Sequence, residues 1–276
     1  MKKYLLLFLI FSVISVVAGN LEITFIYVGQ GDAIHVKTPS GNNYLIDGGQ
    51  PAYYDPVKDI YYSRYDAGRD VILPYLKKKG IKKLDGILVT HPDADHVGGL
   101  VYVMLHMPVD KIYYTGKMHT SKIFQKFFKI ATGNIDKVEH IKKEELERFN
   151  ELSRKGEYKY VEVRDGDVLP WDKNMLVNAV APSEHEMKYP SNNNNTSIVL
   201  YVRYGDRTFL LTGDAENEQE SRMVSDYGAN LKVDVLKYSH HGSKGASSQK
   251  FLDTTDCEYG IISCGKKNKF GFPHKE

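Results

Sequence analysis

Two sheets packed face to face between outer helices are the fold class predicted by this sequence, an α/β sandwich. Three observations predict it. Short strand-like runs come first, as a meander over residues 21–47. Helical and strand-like segments then alternate to the end of the chain. No internal repeat and no long linker divides them, so the 276 residues, 42% of them hydrophobic, read as one large domain.

The first 19 residues stand apart. Met1-Lys2-Lys3 is a basic start, Tyr4 to Val17 is apolar except for Ser12 and Ser15, and Val16-Val17-Ala18 offers small or apolar residues at cleavage offsets. This predicts a secretory signal peptide over 1–19 and a mature domain over 20–276, secreted or periplasmic, with an uncleaved anchor as the alternative. The apolar run falls short of the roughly 20 residues that a spanning helix needs. After cleavage no membrane association is expected. Losing Lys2 and Lys3 leaves the basic and acidic counts equal at 35, so a global basic field for nucleic acid is absent. No stable protein partner is predicted. Cys257 and Cys264 flank an expected strand, which would separate them by roughly 23 Å, too far for a bridge; both read as buried thiols.

The elements follow in order. Leu21–Val28, Ala33–Lys37 and Tyr44–Asp47 alternate apolar residues as strands, with turns at Gly29-Gln30-Gly31-Asp32 and Thr38–Asn42. Asp70 is the expected cap of a helix to about Lys79, closed by Gly80. Asp85–Thr90 is a buried strand, His96 to about Met107 the helix after it, and Ile112–Tyr114 a short strand. Thr120 to about Leu152 is helical, broken at Thr132-Gly133-Asn134. Tyr158–Val163 and Met175–Ala181 are strands. Ser191–Asn195 is a polar loop. Ser197–Val202 and Thr208–Leu211 form a hairpin, followed by a helix over about Glu216–Tyr227. Val233–Lys237, a short helix and Glu258–Ser263 complete the chain.

The chemistry concentrates where the buried strand Asp85–Thr90 ends. His91-Pro92-Asp93-Ala94-Asp95-His96 puts four metal-capable side chains within six residues. Crowded carboxylates and buried imidazoles there are costly without a cation, and one or two divalent ions are the simplest remedy. His91 and Asp93, two apart, point the same way in an extended segment. Asp95 and His96 then serve a second ion. Asp214 ends the apolar run Leu210-Leu211-Thr212-Gly213 and suits a bridging carboxylate. His240 and His241 end another strand. Neighbours in a strand point to opposite faces, so one of the pair is expected as a ligand, His240, and the other, His241, as a proton donor. Imidazole and carboxylate ligands suit zinc, manganese or iron. His35, His106, His119, His140 and His185 read as structural or exposed.

These residues carry a resemblance to the metallo-β-lactamase superfamily and, within it, to ComEC-type soluble domains of DNA-uptake proteins. It rests on Val28–Ala33, Pro39-Ser40-Gly41, Leu45–Gly49, Thr90–Gly99, Asn194–Leu200, Leu210–Asp214, His240–Ser243 and Gly271-Phe272-Pro273-His274. The resemblance implies a four-layer αββα sandwich with the site at its strand-end edge. It also implies departures: Asp93 stands where the superfamily usually has His, and Asn194 or Asn195 occupies a loop that usually supplies another. The harder oxygen ligand tilts the expected metal toward manganese or magnesium, with zinc retained.

The expected function is hydrolysis of a phosphodiester, DNA or nucleotides, with single-stranded DNA as a candidate substrate, by a hydroxide on two divalent ions, zinc or manganese. His91 and Asp93 hold one ion; Asp95, His96 and His240 the other; Asp214 bridges. Asp95 or Asp47 orients the water and His241 protonates the leaving oxygen. Asn194, Asn195, Ser243, Lys267 and His274 are the expected substrate contacts, with Lys266 and Lys269 beside them. The alternatives are a phosphodiesterase of phosphocholine or wall polymers, a lactonase, and a non-catalytic binding protein.

Overall fold

The computed structural model describes residues 19–55, 60–134, 143–152 and 159–275. Residues 1–18 of the expected leader, and His140, lie outside the described residues. Six strands form the first sheet in the order β1-β2-β3-β6-β7-β8: Glu22–Phe25, Ile34–Lys37, Asn43–Ile46, Gly86–Leu88, Lys111–Tyr114 and Lys159–Glu162. The second sheet runs β13-β12-β11-β10-β9: Tyr259–Ile261, Val235–Lys237, Arg207–Leu211, Val199–Tyr204 and Leu176–Ala181. Each sheet is mixed. The meander β1-β2-β3 is antiparallel, whereas β3, β6, β7 and β8 run parallel.

Side-chain alternation along these strands sorts the interior into three apolar clusters, which define four layers. On the first sheet Leu45, Ile87 and Ile112 face helices α1 (Leu73–Lys78), α2 (Ala94–His106) and α3 (Lys122–Ala131). Their neighbours Ile46, Leu88 and Tyr113 point the other way, against Leu200, Val202 and Leu211 of the second sheet. Trp171 fills this inter-sheet space, with its ring stacked 4.2 Å from that of Tyr44. Val199 and Leu210 pack outward with Met223 of α6 (Asn217–Tyr227) and Phe251 of α7 (Gln249–Thr255). The αββα expectation therefore holds, and strands buried on both faces read as continuous apolar runs for this reason.

Some elements differ from expectation. The helix expected from Asp70 begins earlier, with a π-helical turn over Gly68–Ile72 that runs into α1. Asp66, not Asp70, caps it, its Oδ1 accepting from Arg69 N at 2.9 Å. A hairpin, β4 (Tyr53–Asp55) with β5 (Ile60–Ser63), and the short helix α5 (Glu184–Lys188) were not anticipated. The helical segment expected over Thr120–Leu152 does break where Thr132-Gly133-Asn134 predicted, with α3 ending at Ala131 and α4 occupying Lys143–Leu152. Cys257 and Cys264 are free thiols, half-buried rather than buried. Among the described residues no helix is long and apolar enough to cross a membrane.

Parallel order places the ends of β3, β6, β11 and β12 along one edge. The turns leaving these strands carry Asp47, His91–His96, Asp214 and the His pair. The first turn closes over them. Asp32 N donates to Asp95 O at 3.2 Å, and a Cβ on Gly31 would sit 2.1 Å from that oxygen. Only glycine permits this approach.

Candidate metal centre

Asp214 Oδ2 is the hub of the site. His96 Nε2 lies 3.1 Å from it and His241 Nε2 3.2 Å; His91 Nε2 and His240 Nε2 each lie 3.8 Å away. Four imidazoles from two distant segments thus present the same ring atom to one carboxylate.

Each ring is fixed from behind. His96 Nδ1 donates to Asp47 Oδ2 at 2.7 Å, and His241 Nδ1 to Ser263 O at 2.8 Å. His240 Nδ1 faces Glu216 Oε1 at 3.0 Å. Thr90 Oγ1 gives its proton to Asp47 Oδ2 at 2.7 Å, so it accepts from His91 Nδ1 at 3.0 Å. An acceptor behind each Nδ1 leaves each Nε2 to face the hub, the arrangement typical of metal-ligating imidazoles.

The carboxylates complete the ring. Asp95 Oδ2 lies 3.5 Å from His241 Nε2, and Asp93 Oδ2 lies 3.9 Å from His91 Nε2. Asp93 accepts from Asn193 Nδ2 at 3.0 Å. Asp32, His96, Asp214 and His241 form a buried group whose ligand atoms all lie within 4.8 Å of one another. Asp32 Oδ2 pairs with the fully buried Lys237 Nζ at 2.7 Å, so its charge is already balanced.

The electrostatics follow from this crowding. Burial, then the neighbouring His96, pushes His91 down to about 3, so its Nε2 carries a free lone pair at neutral pH. Burial opposes charge on His241, but Asp214 outweighs it and raises the imidazole to about 10. His96 is raised in the same way by Asp214 and Asp47 against burial. For Asp95, burial is outweighed by the hydrogen bond to His241 and the charge of His96, which lower it to about 2. Burial is likewise outweighed at Asp214 by His241 and His96, and its carboxyl is held well below the usual range. Burial raises Asp93.

His91 Nε2 and Asp214 Oδ1 are buried atoms without a hydrogen-bond partner. Such atoms are expensive unless a cation satisfies them. Neutral His91, the pre-oriented Nε2 atoms and ionised Asp95 and Asp214 fit a divalent metal.

Several sequence expectations change at this point. His241, expected as the proton donor, is the buried partner of His96 and Asp214, with 1% of its side chain exposed against 21% for His240. The strand-alternation argument fails because the pair lies beyond β12, in a turn where both residues are left-handed, φ 45° and 56°. Histidine tolerates that region better than most residues. Asp47, expected to orient the water, is buried, and its oxygens serve Thr90 and His96. Asn195 is buried structurally, its Oδ1 accepting from Glu216 N and its Nδ2 donating to Ser191 Oγ. Asn194 Nδ2 donates to Glu216 Oε1 at 2.8 Å and lies 3.5 Å from His240 Nδ1, at the site's margin. Ser243 and His274 sit on the adjoining rim, where His274 N donates to Gly242 O at 2.9 Å and His274 Nδ1 accepts from Lys244 N. Lys267 is exposed on the loop before it.

Asp32, Asn193, Glu216 and Lys237 were missed. Lys237 had a signal, a lysine closing the strand-like run Val233–Lys237. Glu216 lies two residues past Asp214, where a helix-start acid was the ordinary reading.

The sequence model of the metallo-beta-lactamase superfamily matches residues 26–266. The chain belongs to the metallo-beta-lactamase superfamily. It is thereby placed among metal-dependent hydrolases, and the buried Asp/His cluster suits a divalent metal. ComE operon protein 3 of Bacillus subtilis (strain 168) is 32% identical over 258 residues, covering 92% of this chain and 30% of that protein. Competence protein ComA of Neisseria gonorrhoeae is 28% identical over 246 residues, covering 89% of this chain and 27% of that protein. Recombination protein 2 of Haemophilus influenzae is 28% identical over 203 residues, covering 74% of this chain and 20% of that protein. The chain thus spans less than a third of these superfamily relatives, and the resemblance to ComEC-type competence proteins stands.

Proposed function

We propose that the protein is a secreted phosphodiesterase acting on DNA or nucleotides with two divalent ions, zinc or manganese. The observation that carries this reading is the convergence of four Nε2 atoms on Asp214 beside buried, unpartnered polar atoms. Ions held there would supply an acidified water and positive charge for the phosphoryl oxygens. His91, Asp93 and Asp214 would hold one ion; Asp95, His96, His241 and Asp214 the other. Asp47 and Thr90 orient His96 and His91 from behind.

The half-exposed His240, backed by Glu216, is the group positioned to protonate the leaving oxygen. Asn194 and Glu216 fix its ring. Ser243, Lys267 and His274 line the approach. The names of the relatives, competence and recombination proteins, support a nucleic-acid substrate. The basic and then apolar start, Met1–Val17, supports secretion.

A second reading, hydrolysis of a small or wall-polymer phosphodiester such as phosphocholine, is favoured by the equal acid and base counts of residues 20–276. The test is hydrolysis of a single-stranded oligonucleotide and of bis(4-nitrophenyl) phosphate by the manganese-loaded protein. The proposal expects both to be cleaved, and Asp214→Ala to lose the activity by about a thousandfold or more. A fully loaded wild type that cleaves neither ester overturns it.

A further inference from the structure

The loop after β13 carries an aromatic pair beside the metal centre. Phe270 is 46% exposed, and its ring stacks on Phe272 with centroids 5.3 Å apart and planes 16° apart. Phe272 in turn lies 5.6 Å from the ring of His240 and 6.2 Å from that of His241. An aromatic ladder thus runs from the hub outward and ends on the exposed ring of Phe270.

The loop is built to hold that face. Asn268 Oδ1 accepts from Phe270 N at 3.1 Å and from Phe272 N at 2.9 Å. Its Nδ2 donates to Gly265 O and Phe272 O at 2.8 and 2.7 Å. Gly265 N donates to Gln30 Oε1 at 3.2 Å, which ties the loop to the first turn. A pre-set aromatic surface loses little freedom on binding.

Charge selects the occupant. Lys266, Lys267 and Lys269 are exposed around the pair, and Lys269 Nζ lies 5.1 Å from the Phe270 centroid. Cations there repel a quaternary ammonium such as choline and attract flanking phosphates. Aromatic faces interleaved with lysines are the general platform for unpaired bases. In a duplex the base faces are already stacked, so the platform suits a single strand.

We propose that Phe270 and Phe272 form a stacking platform for the nucleobase next to the scissile phosphodiester, which makes single-stranded nucleic acid the substrate class. This rests on the phosphodiesterase reading of the adjoining site. The test is fluorescence anisotropy of the manganese-loaded full chain with a labelled phosphorothioate oligothymidylate and with an abasic phosphorothioate oligomer of equal length. The wild type should bind the base-bearing strand about tenfold more tightly, Phe270→Ala should abolish that preference, and Phe270→Trp should keep it.

Equal binding of the two oligomers by the wild type, or a preference that survives Phe270→Ala, overturns the platform. Displacement of the oligothymidylate by phosphocholine at lower concentration than by thymidine monophosphate also overturns it. Hydrolysis of bis(4-nitrophenyl) phosphate by the wild type reports the underlying reading separately. Cleavage without base preference removes the platform alone; base preference without cleavage removes the phosphodiesterase alone.

Discussion

Glu216 Oε1 lies 3.0 Å from His240 Nδ1 and turns the opposite ring nitrogen toward Asp214. A carboxylate behind an imidazole fixes its tautomer and the orientation of its ring. Glu216→Gln should therefore lower kcat about tenfold for an alkyl leaving group and leave metal content unchanged. Steady-state kinetics with parallel elemental analysis checks this; loss of metal instead would make Glu216 part of the ion's support.

The two adjacent histidines should separate by what they lose. His241→Ala removes a buried Nε2 from the hub and should cut the bound metal by about one ion per chain. His240→Ala should keep the metal and slow an alkyl phosphodiester by about a hundredfold or more. It should spare a 4-nitrophenyl ester, whose leaving group needs no proton. The comparison of kcat between the two leaving groups decides the role.

The metal-free protein should respond to pH in a direction set by two groups. His241 is raised to about 10 from its ordinary 6.5, so its contribution to stability is fully present below about 6.5 and lost as pH climbs through 10. Asp95 is lowered to about 2 from 3.8, so its contribution is present above about 3.8 and lost as pH falls through 2. Metal must displace the protons on His96 and His241, so its affinity should rise with pH. Manganese should raise Tm more at pH 9 than at pH 6, as measured by thermal melts with and without the ion.

Beneath the site, Lys237 and Asp32 form an ion pair with no solvent access to either partner. Lys237→Met strands the Asp32 carboxylate and should destabilise the fold by about 3–5 kcal/mol. Adding Asp32→Asn should recover most of that loss. Urea unfolding of the two single variants and the double variant measures the coupling.

Much of this was legible in the sequence because strands covered on both faces read as continuous apolar runs. Tyr44–Ile46 and Ile87–Leu88 read as strands since both of their faces are covered. The Ser183 and Glu186 capping box of α5 is equally legible in the sequence. The cluster at 91–96 announced itself by crowding charge at a strand end. The order of the His pair was not legible, because it depends on two left-handed residues that no alternation rule describes. Glu216, Asn193 and Asp32 were hidden for another reason: their roles arise from neighbours remote in the chain, such as His240 for Glu216 and Asp93 for Asn193.

On this reading the segments around Asp214 cage divalent ions. Elemental analysis of the purified full chain after manganese loading and desalting, together with electron paramagnetic resonance of the bound ions, tests it most directly. About two ions per chain with a spin-coupled signal are expected, both lost in Asp214→Ala. A chain that retains no metal while remaining folded would contradict it.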